Sequence, residues 1–341
     1  MKAPEIEPQA DAEALLWDVR VSHDLYEGGG RTEQWQYLRV KIFSEAGRDR
    51  LGTVDIPYGT NHSVSEIQGR TIRPDGSIAE LRKDSVYERT VAKAGGVKVN
   101  VKSFALPGLE VGSIIEYRWK ETIDWVTTDL LLQFQREMPV HLVRYHLRPI
   151  HDPAFPYGMG SLGMHLNATP FTHEKDGYFV TSASRIPAYR EENDMPPEPI
   201  VRPWMLVYYN IDKGETPERY WPSLGKRLYE WYSGDIKVNS EIRAAALGAV
   251  EDAADDEARL RKLYDFLATE VRNTSYDLDE GAAASRPSTK ENKNTADTWK
   301  QRAGTSYDIT LLYVAFAEAL GYEARVARVS RRDFGGFVPG R

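Results

Sequence analysis

The run Ser113-Ile114-Ile115-Glu116-Tyr117-Arg118-Trp119-Lys120 alternates apolar and charged side chains with a period of two. Ile115, Tyr117 and Trp119 then point to one side of a strand, and Glu116, Arg118 and Lys120 to the other. One face is built for a core and the other for water. Outward from this run, from about residue 15 to 190, several short stretches repeat the alternation with turn chemistry between them. Gly28-Gly29-Gly30 supplies positive φ, and Arg73-Pro74-Asp75-Gly76-Ser77 sets a proline at the second turn position with a glycine two later. Leu106-Pro107-Gly108 is a third turn. The pattern predicts an antiparallel β-sandwich domain over residues 1–200.

Near Ile186 to Pro203 the composition changes: Glu191, Glu192, Asp194 and Glu198 mix with Pro196, Pro197, Pro199 and Pro203. That mixture opposes both helix and central strand, so 201–235 is expected as a connector. After Pro222 the period becomes 3.6. Leu224, Leu228 and Trp231 form a short stripe, and Leu260, Leu263, Tyr264, Leu267 and Val271 form a stronger one within a helix predicted over 255–272. Tyr276 to Thr295 reads as a long polar loop. A helix from Asp308 to Leu320 follows, closed by Gly321 as a left-handed cap, and then a strand from Tyr322 to Ser330. The fold class expected is α+β, with residues 236–341 forming a second unit.

Composition narrows the function. Lys plus Arg is 44 against 51 for Asp plus Glu, a formal charge of −7. A chain of that sign is a poor partner for nucleic acid or an anionic membrane. Cysteine is zero, which removes disulfides, thiolate metal sites and every cysteine nucleophile. No stretch reaches the roughly 18 apolar residues of a spanning helix. The best candidate, Ile309 to Leu320, contains Thr310 and Glu318. Met1 to Pro8 lacks the apolar core of a signal peptide.

One arrangement carries chemistry. Trp299-Lys300-Gln301-Arg302-Ala303-Gly304-Thr305-Ser306-Tyr307-Asp308 leads into the apolar helix, and Leu320-Gly321-Tyr322-Glu323-Ala324-Arg325-Val326 leaves it. This resembles the transglutaminase-like (papain-like) superfamily, in which an R-x-G-x-C-x-D segment places a nucleophilic cysteine at a helix start. Ser306 stands at that cysteine's position, the one catalytic candidate in the chain. Ala10 to Leu15, Ile72 to Ser77 and Lys102 to Tyr117 are similar to a bacterial domain of unknown function that precedes such cores in envelope proteins. Ile186-Pro187-Ala188 and Met195-Pro196-Pro197 match how that domain ends. The resemblance implies the N-terminal half of a transglutaminase-like core over 236–341. It also implies an extracytoplasmic setting, periplasmic or secreted, with a cytoplasmic one as the alternative.

A serine hydroxyl needs an adjacent base to act as a nucleophile. All seven histidines (His23, His62, His141, His146, His151, His165 and His173) precede residue 174, whereas the family places its histidine and aspartate after the nucleophile. Either those groups lie beyond Arg341 or they do not exist. Thr305 and Asp308 are spaced as a capping box, which offers a structural role for the local hydroxyls. The leading expectation is a non-catalytic transglutaminase-like protein that binds or scaffolds peptide or cell-wall material, without cofactor or metal. A truncated amide or ester hydrolase or acyltransferase using Ser306 is the first alternative. A carbohydrate- or peptide-binding module is the second. Its basis is the aromatic band Trp204, Tyr208, Tyr209, Tyr220, Trp221, Tyr229, Trp231 and Tyr232, which is equally readable as interdomain core. His141, His146 and His151 recur at fives, an offset that opposes neighbours on a strand and argues against a metal set. Asp277, Asp279 and Glu280 hint at calcium, but Gly281 falls one place before the glycine of an EF-hand loop.

Overall fold

The computed structural model describes residues 1–94, 97–151, 158–210, 216–276 and 290–329. The Asp277, Asp279 and Glu280 group and most of the predicted loop lie outside them. A long hairpin opens the fold: β1 (Ala12–Tyr26) and β2 (Gly29–Ile42), with Gly28 at φ +85° in its turn. Helix α1 (Glu45–Leu51) precedes β3 (Thr53–Tyr58), β4 (His62–Ile72), β5 (Ile78–Glu80), β6 (Val86–Ala94) and β7 (Val97–Ala105). Next come β8 (Ile114–Ile123), β9 (Asp129–Gln133), β10 (Val140–Leu147), β11 (Gly158–Met164), β12 (Thr172–His173) and β13 (Phe179–Ile186). Short α2 (Glu198–Val201) leads to β14 (Trp204–Asn210).

An eight-stranded sheet runs in the order β12-β13-β10-β1-β2-β8-β4-β5, and two three-stranded sheets, β3-β7-β6 and β11-β14-β9, accompany it. Leu38, Val40, Ile42, Ile115 and Val143 of the large sheet share one core with Ile56, Phe104, Leu132 and Val207 of the small ones. This is the layered core expected of a sandwich. Within it Tyr117 and Trp119 are buried and Arg118 is exposed, as the alternation requires. Two expectations are corrected. The large sheet is not wholly antiparallel, because β1 pairs with β10 in parallel, Ala14 opposite Val140. β1 sits centrally with β2 on one flank, so the later β10 is delivered to the other flank by a crossover and lies in the same sense. Residues 201–235, expected as a connector, hold β14, which pairs with β9 and β11, and a helix.

The turns bear out their chemistry. Gly76 (φ +85°) and Gly108 (φ +63°) both take the left-handed region, and Arg73 Nε donates to the Gly108 carbonyl at 3.0 Å. A Cβ at Gly108 would displace the Arg73 guanidinium that bonds its carbonyl, and the φ of +63° is itself one that L side chains rarely adopt.

Two carboxylates are buried in the sandwich, and both are fully engaged. Glu13, 0% exposed, accepts from the backbone amides of Glu5, Ile6 and Glu7 and faces His141 Nε2 at 2.8 Å. Burial pushes its carboxyl up, but these donors outweigh that and hold it below the usual value. Glu116 sits between Arg39 and Arg70 on the neighbouring strands.

The second unit is helical: α3 (Pro217–Asp235), α4 (Ser240–Ala249), α5 (Asp256–Glu270), α6 (Thr295–Gln301) and α7 (Ser306–Ala319), with the two-residue strands β15 (Arg272–Asn273) and β16 (Ala303–Gly304). Its core gathers Ile242, Leu263, Leu267, Trp299, Leu312 and Phe316, sharing no residue with the sandwich core. Trp299 and Phe316 meet edge to face, 4.9 Å between centroids. The predicted stripe holds except at one position: Leu263, Leu267 and Val271 are buried and Leu260 is half-buried, whereas Tyr264 is 66% exposed because the partner helices cover a narrower arc. Gly321 closes α7 at φ +90°, as predicted. Tyr322 to Val329 form no strand, since no ladder partner lies beside them among the described residues. Instead they flank a groove of about 920 Å³ with α3, lined by Leu224, Leu228, Tyr232, Ile236, Ala324 and Val326.

Candidate functional site

Ser306 is the first residue of α7, and four local devices place it. Arg302 adopts a left-handed φ of +52° and ends α6. β16 then pairs in parallel with β15, Asn273 opposite Gly304. Gly304 permits the close approach: a Cβ there would meet Asp308 Cβ at 2.7 Å and Thr298 at 3.0 Å. Finally Thr305 caps the helix. Its hydroxyl accepts from the Asp308 amide at 3.2 Å, and the Thr305 amide donates to Asp308 Oδ2 at 2.8 Å, a complete capping box. Asn292 Nδ2 also reaches Asp308 Oδ2, at 3.3 Å. Thus Asp308 serves the helix start, and Thr305 rather than Ser306 is the capping hydroxyl.

Ser306 is exposed, and its neighbours are neutral. Asn273 Nδ2 donates to Ser306 Oγ at 3.0 Å, and the Ser306 amide donates to Ser275 Oγ at 2.8 Å. Among the described residues the acceptor for the hydroxyl proton is Asn273 Oδ1, at 3.4 Å. An amide oxygen has no affinity for a proton near neutral pH, so this partner orients the hydroxyl without activating it. The helix start supplies unpaired N–H groups and a partial positive charge, which stabilise an oxyanion but do not generate one. Beside it Trp231, Tyr232 and Tyr307 form an aromatic trio with centroids 5.2–6.4 Å apart. Burial, then nearby Asp235, raises the Tyr307 phenol above its ordinary value. The 920 Å³ groove does not include Ser306.

The histidines are occupied elsewhere. His146, 1% exposed, lies between Asp18 Oδ2 (3.0 Å) and Glu174 Oε2 (3.1 Å), while His141 serves Glu13. No group of metal-ligating side chains occurs among the described residues. His23 Nδ1 lies 3.1 Å from Thr32 Oγ1. That hydroxyl already donates to the Trp125 carbonyl and accepts from the Thr127 amide, so His23 must donate to it, which fixes the neutral tautomer. Burial first, and Arg148 second, hold His23 down at about 4. The aromatic band does not form one platform. Trp204, Tyr208 and Tyr209 belong to β14 and the rest to α3, where Tyr229 and Trp231 stay 58% and 60% exposed.

Asn273 and Ser275 are the site residues that sequence reasoning missed. They stand some thirty residues upstream of Ser306 and reach it only through the β15–β16 ladder. Nothing local in the sequence marks them.

Comparison with known proteins agrees with this architecture. Residues 29–154 match the family described as a domain of unknown function with solved structure, DUF3857. No curated protein matches the chain. A solved structure described as a "putative protease" from Parabacteroides distasonis superposes with a TM-score of 0.56 at 17% identity, over 91% of this chain and 59% of that one. The present chain therefore spans under two thirds of that protein. No helix among the described residues is long and apolar enough to cross a membrane. At this identity the likeness is one of fold, an α+β fold that spans both the sandwich and the helical unit of this chain.

Proposed function

We propose that this chain is a non-catalytic transglutaminase-like protein with a binding or scaffolding role, acting on peptide or cell-wall material outside the cytoplasm. The observation that carries the reading is the Asn273 amide at 3.0 Å from Ser306 Oγ, standing where a nucleophile would need a base. The absence of cysteine and the placement of every histidine in the sandwich support it. The extracytoplasmic setting rests on the resemblance of the N-terminal half to envelope-associated domains.

The experiment is treatment of the 341-residue chain with a fluorophosphonate probe, with an acyl-donor peptide and labelled amine in parallel. No label at Ser306 and no acyl transfer are expected. Labelling or transfer that disappears in Ser306→Ala would overturn the proposal and favour the hydrolase or acyltransferase alternative.

A further inference from the structure

The outer face of the large sheet, opposite the core, carries a second constellation. Strand register aligns it in two rungs. One runs His146, Arg20, Trp35, Lys120 across β10, β1, β2 and β8, and the next runs Arg144, Asp18, Tyr37, Arg118, Gln68 from β10 to β4. None of these side chains belongs to the core. Asp18, Arg20, Trp35, Tyr37, Arg118 and Tyr178 line a depression of about 400 Å³, the size of a small-ligand site.

Charge on this face is distributed unevenly. Each carboxylate has a cation: Asp18 faces Arg144 at 3.8 Å, Asp176 faces Arg20 at 3.5 Å, Glu33 faces Lys120 at 3.1 Å, and Glu116 faces Arg39 and Arg70. Two guanidiniums lack a carboxylate among the described residues. Arg118 donates to Gln68 Oε1 and lies 5.8 Å from the Trp35 centroid, and Arg148 lies 5.5 Å from that of Tyr178. Arg20 lies over the Tyr178 ring from another strand, also at 5.5 Å. The depression thus offers half-buried aromatic rings with one uncompensated guanidinium, Arg118, in its lining and a second, Arg148, close to Tyr178, on an acidic protein.

We infer that this sheet face binds an acidic saccharide, a pyranose bearing a carboxylate, with its apolar ring face against Trp35 and Tyr178 and its carboxylate on Arg118. Aromatic rings accept the C–H face of a sugar ring, and arginine forks a carboxylate through two parallel hydrogen bonds. An acidic peptide would satisfy the arginines but offers no flat ring face to the aromatics. A neutral sugar would leave Arg118 unpaired. The inference deepens the binding role proposed above by naming a ligand class and a place. It rests on that reading without depending on Ser306.

Isothermal titration of the intact chain with trigalacturonate, maltotriose and triglutamate tests it. Saturable binding of trigalacturonate alone is expected, weakened at least tenfold in Trp35→Ala and in Arg118→Gln, each retaining the wild-type melting temperature. Both changes lie on the solvent face, and Arg118→Gln keeps the length of the stem should Trp35→Ala disturb the sheet. Absence of trigalacturonate binding, equal binding of triglutamate, or unchanged affinity in a folded Arg118→Gln variant would overturn it. Any of these leaves the fluorophosphonate result at Ser306 untouched, so the two proposals fail separately.

Discussion

The sandwich and the helical unit solve the burial of polar groups in opposite ways. The sandwich withdraws Glu13, Glu116 and His146 from solvent and answers each with named partners, on neighbouring strands for Glu116 and His146 and largely on the N-terminal segment for Glu13. The helical unit buries two threonines, Thr295 and Thr298, as its described polar interior, and keeps its charges on the surface. A sheet can afford interior ions because its register presents partners from two sides at fixed distance, whereas helices present side chains along diverging cylinders. The sandwich is therefore expected to be sensitive to pH and the helical unit to lost volume.

The sharpest way to break this contrast is to remove volume from the helical core. Phe316→Ala takes away a fully buried ring that touches Trp299, and a loss of about 3–5 kcal/mol is expected there. In calorimetry the sandwich transition should stay in place. A single transition that shifts as a whole would show that the two cores melt together.

Acid should act on the other side. His23 is held at about 4 in the folded chain and returns to the ordinary histidine value of 6.5 when unfolded. A depressed histidine contributes stability while neutral, present above 6.5 and lost as pH falls towards 4. Allowing for the solvent that still reaches the ring, about 2 kcal/mol should disappear from the sandwich over that window. Urea melts at pH 7 and pH 4.5 check this, with His23→Gln as the control in which the difference between the two pH values shrinks. An unchanged difference would deny His23 its part.

The smallest effect sharpens the account of the helix start. Thr305→Ala removes the hydroxyl that closes the capping box and should cost about 1 kcal/mol. Ser306→Ala, which loses only the bonds between an exposed hydroxyl and the Asn273 amide, should cost less than half of that. If the two substitutions cost the same, Ser306 shares the capping role.

Much of this was legible before any fold was known, and the limits have physical causes. Alternation around Arg118 reported the two faces of β8 correctly because side-chain direction in a strand is a local property. The capping box of Thr305 with Asp308 and the closing Gly321 are also local, and both hold, although the helix begins at Ser306, two residues before the expected Asp308. What sequence did not reveal depends on pairing across distance. The parallel β1–β10 contact, the place of β14 in a small sheet and the Asn273–Ser306 hydrogen bond each join segments with no shared period. The same holds for the sheet face around Trp35. Its members are unremarkable singly, and only sheet order brings Tyr178 and Arg20 beside them.

The division of labour between Thr305 and Ser306 has an evolutionary consequence. Because the neighbouring threonine does the capping, position 306 carries little structural duty and is open to drift. An exchange of oxygen for sulfur there needs no rearrangement of α7, and it would place a thiol at the positive end of a helix. The chemistry open to this site is thus set by the partners of residue 306, Asn273 and Ser275, rather than by the architecture that starts the helix.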